Sequence, residues 1–411
     1  MNKENKLNEI IEYYIKSDDF NGLPVSNLKE VDVELLSELI EDELIEVLSE
    51  KETINPFVKA FNISGIPKDR QIQNLTDTTT ISVLYPTKKA LESLPDDMSE
   101  PYSTMLSKGM EQFHIIYFDT QILELYFKNP QYLIYDGGYR GQIELKGEHC
   151  EDDSRGDFIR DYGLARKKGK KLERAVGVFL IDLSKLDSRM QMRWKSFEHK
   201  KQDEYEVEQG FITNLIHGDF VEEIWILDAL IEEIKIINEQ CNAIGIPQMF
   251  NKTYETNLTE RPNNYRSLLF PTLNNFNSFV TALEIITVQN ISEKTFQKDA
   301  DLIKKVEKVD ENKKEKKSLT MMDEWFNKNV KTEHDIKKVI IKPLRDLRDL
   351  RQNPAHKLDD NTYNIEYYSE QEKLMVATYT AIRLIRLLLA DHPLTKDVAI
   401  PTYLNGPIVF Y

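Results

Sequence analysis

Cysteine is nearly absent: Cys150 and Cys241 are the only two in 411 residues. That is too few for a disulfide framework or a multi-thiolate zinc site, and it fits a reducing compartment. Glycine and proline stand at 15 each, which excludes a fibrous or low-complexity chain. Long apolar runs are missing too. The most apolar window, Ala381 to Ala390, is short and contains Arg383 and Arg386, so no bilayer span and no membrane partner are expected. The opening MNKENKLNEIIEYYIK is charged and helical in pattern, without a secretory apolar core, and points to a cytoplasmic protein. Gly-x-Ser-x-Gly, Walker A and dinucleotide glycine motifs do not occur, which leaves the common hydrolase, NTPase and dehydrogenase chemistries without a foothold. Neither a cofactor nor a resident metal is expected.

What is present is an ordinary globular composition, 40% hydrophobic and 10% aromatic, with a formal net charge of −16. The charge is uneven. Residues 319–411 carry equal numbers of basic and acidic side chains, so the whole excess lies before them. An acidic body argues against whole-surface attraction to nucleic acid but not against a local basic cleft, which would have to sit in the neutral C-terminal part.

Pattern along the chain implies an α+β fold with four parts. Residues 1–64 read as a helical segment, with Leu7, Ile10, Ile11 and Tyr14, then Leu35, Leu36, Leu39, Ile40, Leu44 and Leu48, at helical spacing. Residues 65–270 read as a mixed α/β domain for sensing or regulation. Strand-like runs occur at Thr80–Tyr85, His114–Phe118, Tyr132–Tyr135, Gln142–Leu145 and Ala175–Leu183, with a turn at Asp136-Gly137-Gly138. A helix through Ile244 then stops at Gly245. Residues 271–392 read as all-helical. Phe276, Phe279, Val280, Leu283 and Ile286 form one stripe. Thr332/Asp335 and Ser369/Glu372 are spaced as capping boxes. Residues 393–411 read as an extended strap. The charged stretch Lys298–Lys317 is a solvated face or linker by default, with an RNA-tracking arm as the rival.

The most informative segment is Leu344-Arg345-Asp346-Leu347-Arg348-Asp349-Leu350-Arg351-Gln352-Asn353-Pro354-Ala355-His356-Lys357. Leu344, Leu347 and Leu350 repeat every third residue, as do Arg345, Arg348 and Arg351, giving an apolar flank beside a cationic one. Pro354 is tolerated best as the first residue of a new helix, with Asn353 as its cap. Arg351 and His356 would then project into the same bend. Cleavage of an RNA phosphodiester by its own 2′-hydroxyl needs a proton acceptor and a cation for the phosphorane. A His, titrating near neutrality, and a fork-shaped Arg are suited to those roles without a metal. Spacing alone is met equally by a surface Arg paired to Asp346 or Asp349 and a His capping a helix.

The segment from Arg351 to His356, with its approach Pro343–Arg348 and the amphipathic helix after Ser369, resembles the signature of the HEPN superfamily (higher eukaryotes and prokaryotes nucleotide-binding domains). The likeness covers about Pro271 to His392. It implies a compact helical bundle and an endoribonuclease of the toxin or anti-phage kind, a nuclease (hydrolase) of antiviral defence. His356 would be the acid/base and Arg351 the phosphoryl ligand, with Gln352 and Asn353 orienting them and Arg345, Arg348 and Lys357 contacting the RNA. The residue after the Arg is commonly Asn in that family and is Gln352 here. A non-catalytic binding or dimerisation module therefore stands as the alternative. The resemblance also implies a homodimer through the C-terminal bundle, which would supply two imidazoles to one cleft. The apolar faces Leu344/Leu347/Leu350 and Ile382/Ile385/Leu389 are more than a small bundle readily hides. An antitoxin or phage-derived trigger is the implied kind of regulator.

Other constellations are weaker. Pro130, Asp136 and Glu144-Leu145-Lys146 loosely resemble the PD-(D/E)xK nuclease pattern, whose carboxylates hold Mg²⁺; a solvated hairpin is the preferred account. His149 and Cys150 stand beside acids, with no second His or Cys at ligand spacing, in a stretch from Gly147 to Lys171 that reads as a long surface loop. Trp194, Phe197, Trp225, Tyr265 and Phe270 are core aromatics by default, with base stacking as the alternative.

Overall fold

A computed structural model describes residues 2–410 apart from 18–19, 29–30, 54, 60–64, 93, 148–155, 218–223, 257–261, 263, 334 and 353–359. The chain holds both helices and sheets and is α+β. It divides into two compact units: Met1–Ile122 with Leu145–Gly163 and Ala175–Tyr205, and Leu123–Glu144 with Leu164–Arg174 and Glu206–Tyr411. The strands used below are β1 (Leu23–Pro24), β2 (Ile45–Ser49), β3 (Ser82–Pro86), β4 (Ile115–Phe118), β5 (Tyr132–Gly137), β6 (Arg140–Leu145), β7 (Asp161–Lys167), β8 (Arg174–Phe179), β9 (Ile224–Trp225) and β10 (Ile408–Val409). The helices are α1 (Lys3–Lys16), α2 (Val33–Glu41), α3 (Lys68–Thr76), α4 (Ile226–Ile244), α5 (Leu273–Ile286), α6 (Ser318–Asn329), α7 (Lys342–Gln352) and α8 (Glu366–Ala390).

In the first unit, α1 opens where the Asn2 side chain accepts from Glu4 N–H, and α2 where Asp32 accepts from Leu35 N–H. Their apolar rows bury Ile10, Leu36, Leu39 and Ile40 with Val47, Leu84 and, from α3, Leu75. The expected helix through Leu44 and Leu48 stops short. Glu43 takes a left-handed φ of 59°, and the chain leaves as β2, where Val47 and Leu48 pair with Leu84 and Val83 of antiparallel β3. Helix and strand periods share positions over so short a run, which is why spacing alone chose wrongly. β1 takes the other edge of β3, in the order β1-β3-β2, so one sheet joins residues on both sides of position 64. Further along, β4 and β8 pair antiparallel, Ile116 with Val178 and Phe118 with Val176. β8 ends at Phe179 and continues as a short helix, Leu180–Ser184, where a longer strand was expected. Trp194 is buried and meets Phe118 edge-on at 4.9 Å, which makes it a packing residue.

The expected loop 147–171 contains β7, in which Tyr162, Leu164 and Ala165 are fully buried. In the second unit β5 and β6 are neighbours, joined at Gly138 with φ 76°, the turn that the sequence places there. α4 ends at Gly245 in a left-handed conformation, φ 86°, that a Cβ would oppose. α8 begins three residues before Ser369, because Asn364 Oδ1 accepts from Glu366 N–H at 3.0 Å; Ser369 and Glu372 lie inside the helix. At the other expected box, Asp335 accepts from Lys338 N–H at 3.2 Å, and a π-helical turn, Lys337–Ile341, leads into α7. Pro343, in the first turn of α7, has no N–H to donate, and Lys342 N–H just before it closes the π turn on Lys337 O. Residues 393–410 form 3₁₀ turns at Pro393–Thr395 and Thr402–Asn405, then β10, which runs parallel to β9 with Ile408 beside Ile224. Among the described residues no helix is long and apolar enough to cross a membrane.

The core of this unit is helical, with α4 against α8 and α7 against both α5 and α8. At the α4–α8 seam, Arg386 donates to both carboxylate oxygens of Glu233, and the two side chains are 3% and 0% exposed. Burial pushes the Glu233 carboxyl above its ordinary range, against the opposing pull of Arg386. Breaking such a pair leaves one uncompensated charge inside. Arg386→Met should therefore cost about 3–5 kcal/mol in urea unfolding, whereas Glu233→Leu/Arg386→Met together should recover most of that loss.

Candidate functional site on helix α7

α7 takes its orientation from its leucines. Leu344 and Leu347 are fully buried, and Leu350 packs half-buried against the same core. Arg345, Arg348 and Arg351 follow one position behind and form a half-exposed flank. The carboxylates of the segment are engaged elsewhere: Asp346 pairs with Lys342, and Asp349 Oδ1 lies 3.8 Å from Arg348 Nε. Among the described residues, Arg351 has no carboxylate at salt-bridge distance. Its position in the last turn, where helix carbonyls lack partners, favours a cation.

Beneath this flank lies a residue that the sequence pattern passed over. Glu284, in the last turn of α5, is 2% exposed. It occupies the inward row with Val280, Leu283 and Thr287, where an apolar side chain would ordinarily stand. Burial raises its carboxyl above the usual range; Arg351, a hydrogen bond from Gln289, and Arg348 pull the other way. Its Oε2 has no hydrogen-bond partner among the described residues. The one sequence signal is an acid interrupting the Phe276–Ile286 stripe, which by itself does not reveal what the acid faces.

Gln352 is exposed as the last residue of α7. Asn353, His356 and Lys357 lie outside the described residues, so the structure brings together Arg345, Arg348 and Arg351 but does not place the histidine. Where the chain resumes, it is sewn to the start of α5. Leu273 N–H donates to Thr362 O and Asn364 N–H to Pro271 O, each at 2.9 Å, and Asn274 N–H donates to Asn361 Oδ1 at 3.0 Å. Both ends of 353–359 thus depart from elements packed in one core.

The other candidates resolve differently. Asp136 is 1% exposed and accepts from Ser267 N–H at 2.9 Å, a structural role, while Glu144 is exposed on β6. They do not form an open carboxylate pair. Lys146, just past β6, is half-buried. His149 and Cys150 lie outside the described residues. Burial pushes the Cys241 thiol up to about 12, far from a nucleophile's range. Tyr265 donates to Leu227 O and, like Trp225, is core. In the charged stretch 298–317, Lys308 pairs with Glu315 at 3.5 Å and Lys316 with Glu324, while Ile303 and Val306 are buried in the helical core. The apolar faces expected to be left over are not: Ile382, Ile385 and Leu389 of α8 are buried within the chain's own core, as are Leu344 and Leu347. The outward apolar residues of α8 are instead Val376 and Leu387, 44% and 43% exposed.

Compared with family models, curated proteins and solved structures, the chain matches none.

The two flanks of α7 should respond separately to mutation. Leu347→Ala should lose about 2–5 kcal/mol of stability, while Arg345→Ala should stay within about 0.5 kcal/mol, both read by chemical denaturation.

Proposed function

We propose that this protein is a metal-independent endoribonuclease of the HEPN kind, built on residues 271–392, acting in the cytoplasm as a toxin or anti-phage effector. The observation that carries this reading is the Arg351 guanidinium. It ends an arginine flank on a rigid helix, without a carboxylate partner among the described residues, directly before the segment that contains His356. In the reaction, the RNA 2′-oxygen gives its proton to a base, the new 2′-O–P bond forms, and the P–O5′ bond breaks as O5′ takes a proton. The products are a 2′,3′-cyclic phosphate and a 5′-hydroxyl. His356 supplies the proton chemistry, and Arg351 meets the charge that grows on the phosphoryl oxygens. Gln352 and Asn353 orient this pair. Arg345, Arg348 and Lys357 hold the RNA backbone.

One His356 cannot at once be the base for the 2′-hydroxyl and the acid for O5′. A second copy of the chain completes the site, and a homodimer through the helical bundle supplies it. Val376 and Leu387 are the apolar residues that α8 offers to such a contact. The acidic remainder of the chain would restrain the nuclease or receive its trigger, an antitoxin or a phage product. Gln352, standing where Asn is usual in the family, favours the second reading: a bundle that binds and dimerises without cutting.

Cleavage of a mixed RNA by the full chain tests this. It should persist in EDTA and leave cyclic phosphate ends. It should vanish in His356→Ala and fall at least about tenfold in Arg351→Lys, which keeps the charge but loses the planar fork. Activity that disappears in EDTA, returns with Mg²⁺ and is abolished by Glu144→Ala would move the chemistry to the β5–β6 hairpin instead. An inactive chain that still dimerises by light scattering would establish the binding module.

A further inference from the structure

We infer that Glu284 is a positioning residue for Arg351, holding the guanidinium from the neighbouring helix in the orientation that meets a phosphoryl group; this rests on the ribonuclease reading above. Three features of the structure converge on it. Glu284 stands in the core-facing row of α5, on the helix packed directly against α7. It is 2% exposed, with Oε2 lacking a hydrogen-bond partner among the described residues, so neither water nor a full set of donors surrounds the carboxyl. Its electrostatic partners, besides the hydrogen bond from Gln289, are Arg351 and Arg348, two cations of the proposed RNA-binding flank.

A carboxylate so placed is expensive. An apolar side chain would pack the same row without desolvating a charge. The return, in the ionised form that Arg351 and Arg348 favour, is a negative point behind a guanidinium that has no salt-bridge partner among the described residues. The field of a buried charge in a poorly polarisable interior is strong and directional. An arginine held this way loses little conformational freedom on meeting phosphate, so the gain falls on the transition state rather than on ground-state binding. Glu284 touches neither RNA nor the reacting atoms, and acts through Arg351 alone.

This gives a signature opposite to that of a structural residue. Glu284→Gln keeps the shape and removes the charge. Its thermal midpoint should be at or above the parent's, and its KM for RNA no higher, while kcat falls about tenfold or more. In an Arg351→Lys background the same change should cost less than about twofold, because the group it orients is gone. Equal losses in both backgrounds, or a kcat loss accompanied by a lowered thermal midpoint, would overturn the assignment.

A binding arm keeps the two ideas apart. With a 2′-deoxy-blocked RNA oligonucleotide and fluorescence anisotropy, Glu284→Gln should tighten binding about threefold in the parent and leave it unchanged in Arg351→Ala. A parent chain that cuts no RNA ends the ribonuclease reading, while the anisotropy cycle still decides the coupling. A parent that cuts, loses activity in Arg351→Lys and keeps it in Glu284→Gln ends only the role given to Glu284.

Discussion

The helical unit depends on one buried ion pair. Glu233 and Arg386 meet at the seam between α4 and α8 with almost no exposure, and Arg383 adds a weaker attraction to the same carboxylate. A pair of this kind adds little net stability, because desolvation of two charges offsets most of their attraction. It does penalise every other register. Sliding or rotating α8 by one residue would leave both charges buried and alone. α7 packs on α8 and α5, so the placement of its arginine flank is inherited from this seam. The bundle is specified by a charge and filled by aliphatics, and the two tasks fall to different residues.

A second buried acid repeats the theme with the opposite balance. Glu233 is answered by a guanidinium in direct contact. Glu284 faces arginines that stand beyond salt-bridge distance on the edge of the core. The first arrangement closes a seam. The second leaves a half-exposed guanidinium with no salt-bridge partner among the described residues. Two acids of similar burial thus divide between holding the fold and preparing the site.

Much of this was legible in the sequence where a period ran long enough to be unambiguous. The stripe from Phe276 to Ile286, the stop at Gly245 and the turn at Asp136-Gly137-Gly138 all stand as spacing implies. Short runs failed. Leu44 and Leu48 fit a helix as well as a strand, and only the left-handed Glu43 and the partner strand β3 decide between them. The Ser369/Glu372 box is bypassed by geometry, since the helix already starts at Glu366, whose N–H donates to Asn364 Oδ1 in the turn before it. Of the site, the arginine triplet was visible because it shares the three-residue repeat of the leucines. Glu284 was not, because an acid inside an apolar stripe shows its purpose only once the opposing helix is in place. His356 can be named from the sequence but lies outside the described residues.

The π-helical turn at Lys337–Ile341 has a consequence for how this segment tolerates changes in length. A π turn carries one surplus residue relative to an α-helix, and here it opens the helix, with only Ile336 in helical geometry ahead of it. A gain or loss of one residue among the non-helical residues 330–333 leaves the phase of α7 unchanged. Downstream, the leucines anchor the phase, and the same change would turn each arginine by about 100° around the axis. Indels are therefore expected to collect at 330–333 and to be purged after Lys342, and the non-helical stretch acts as a length buffer that shields the arginine flank from the drift of the chain before it.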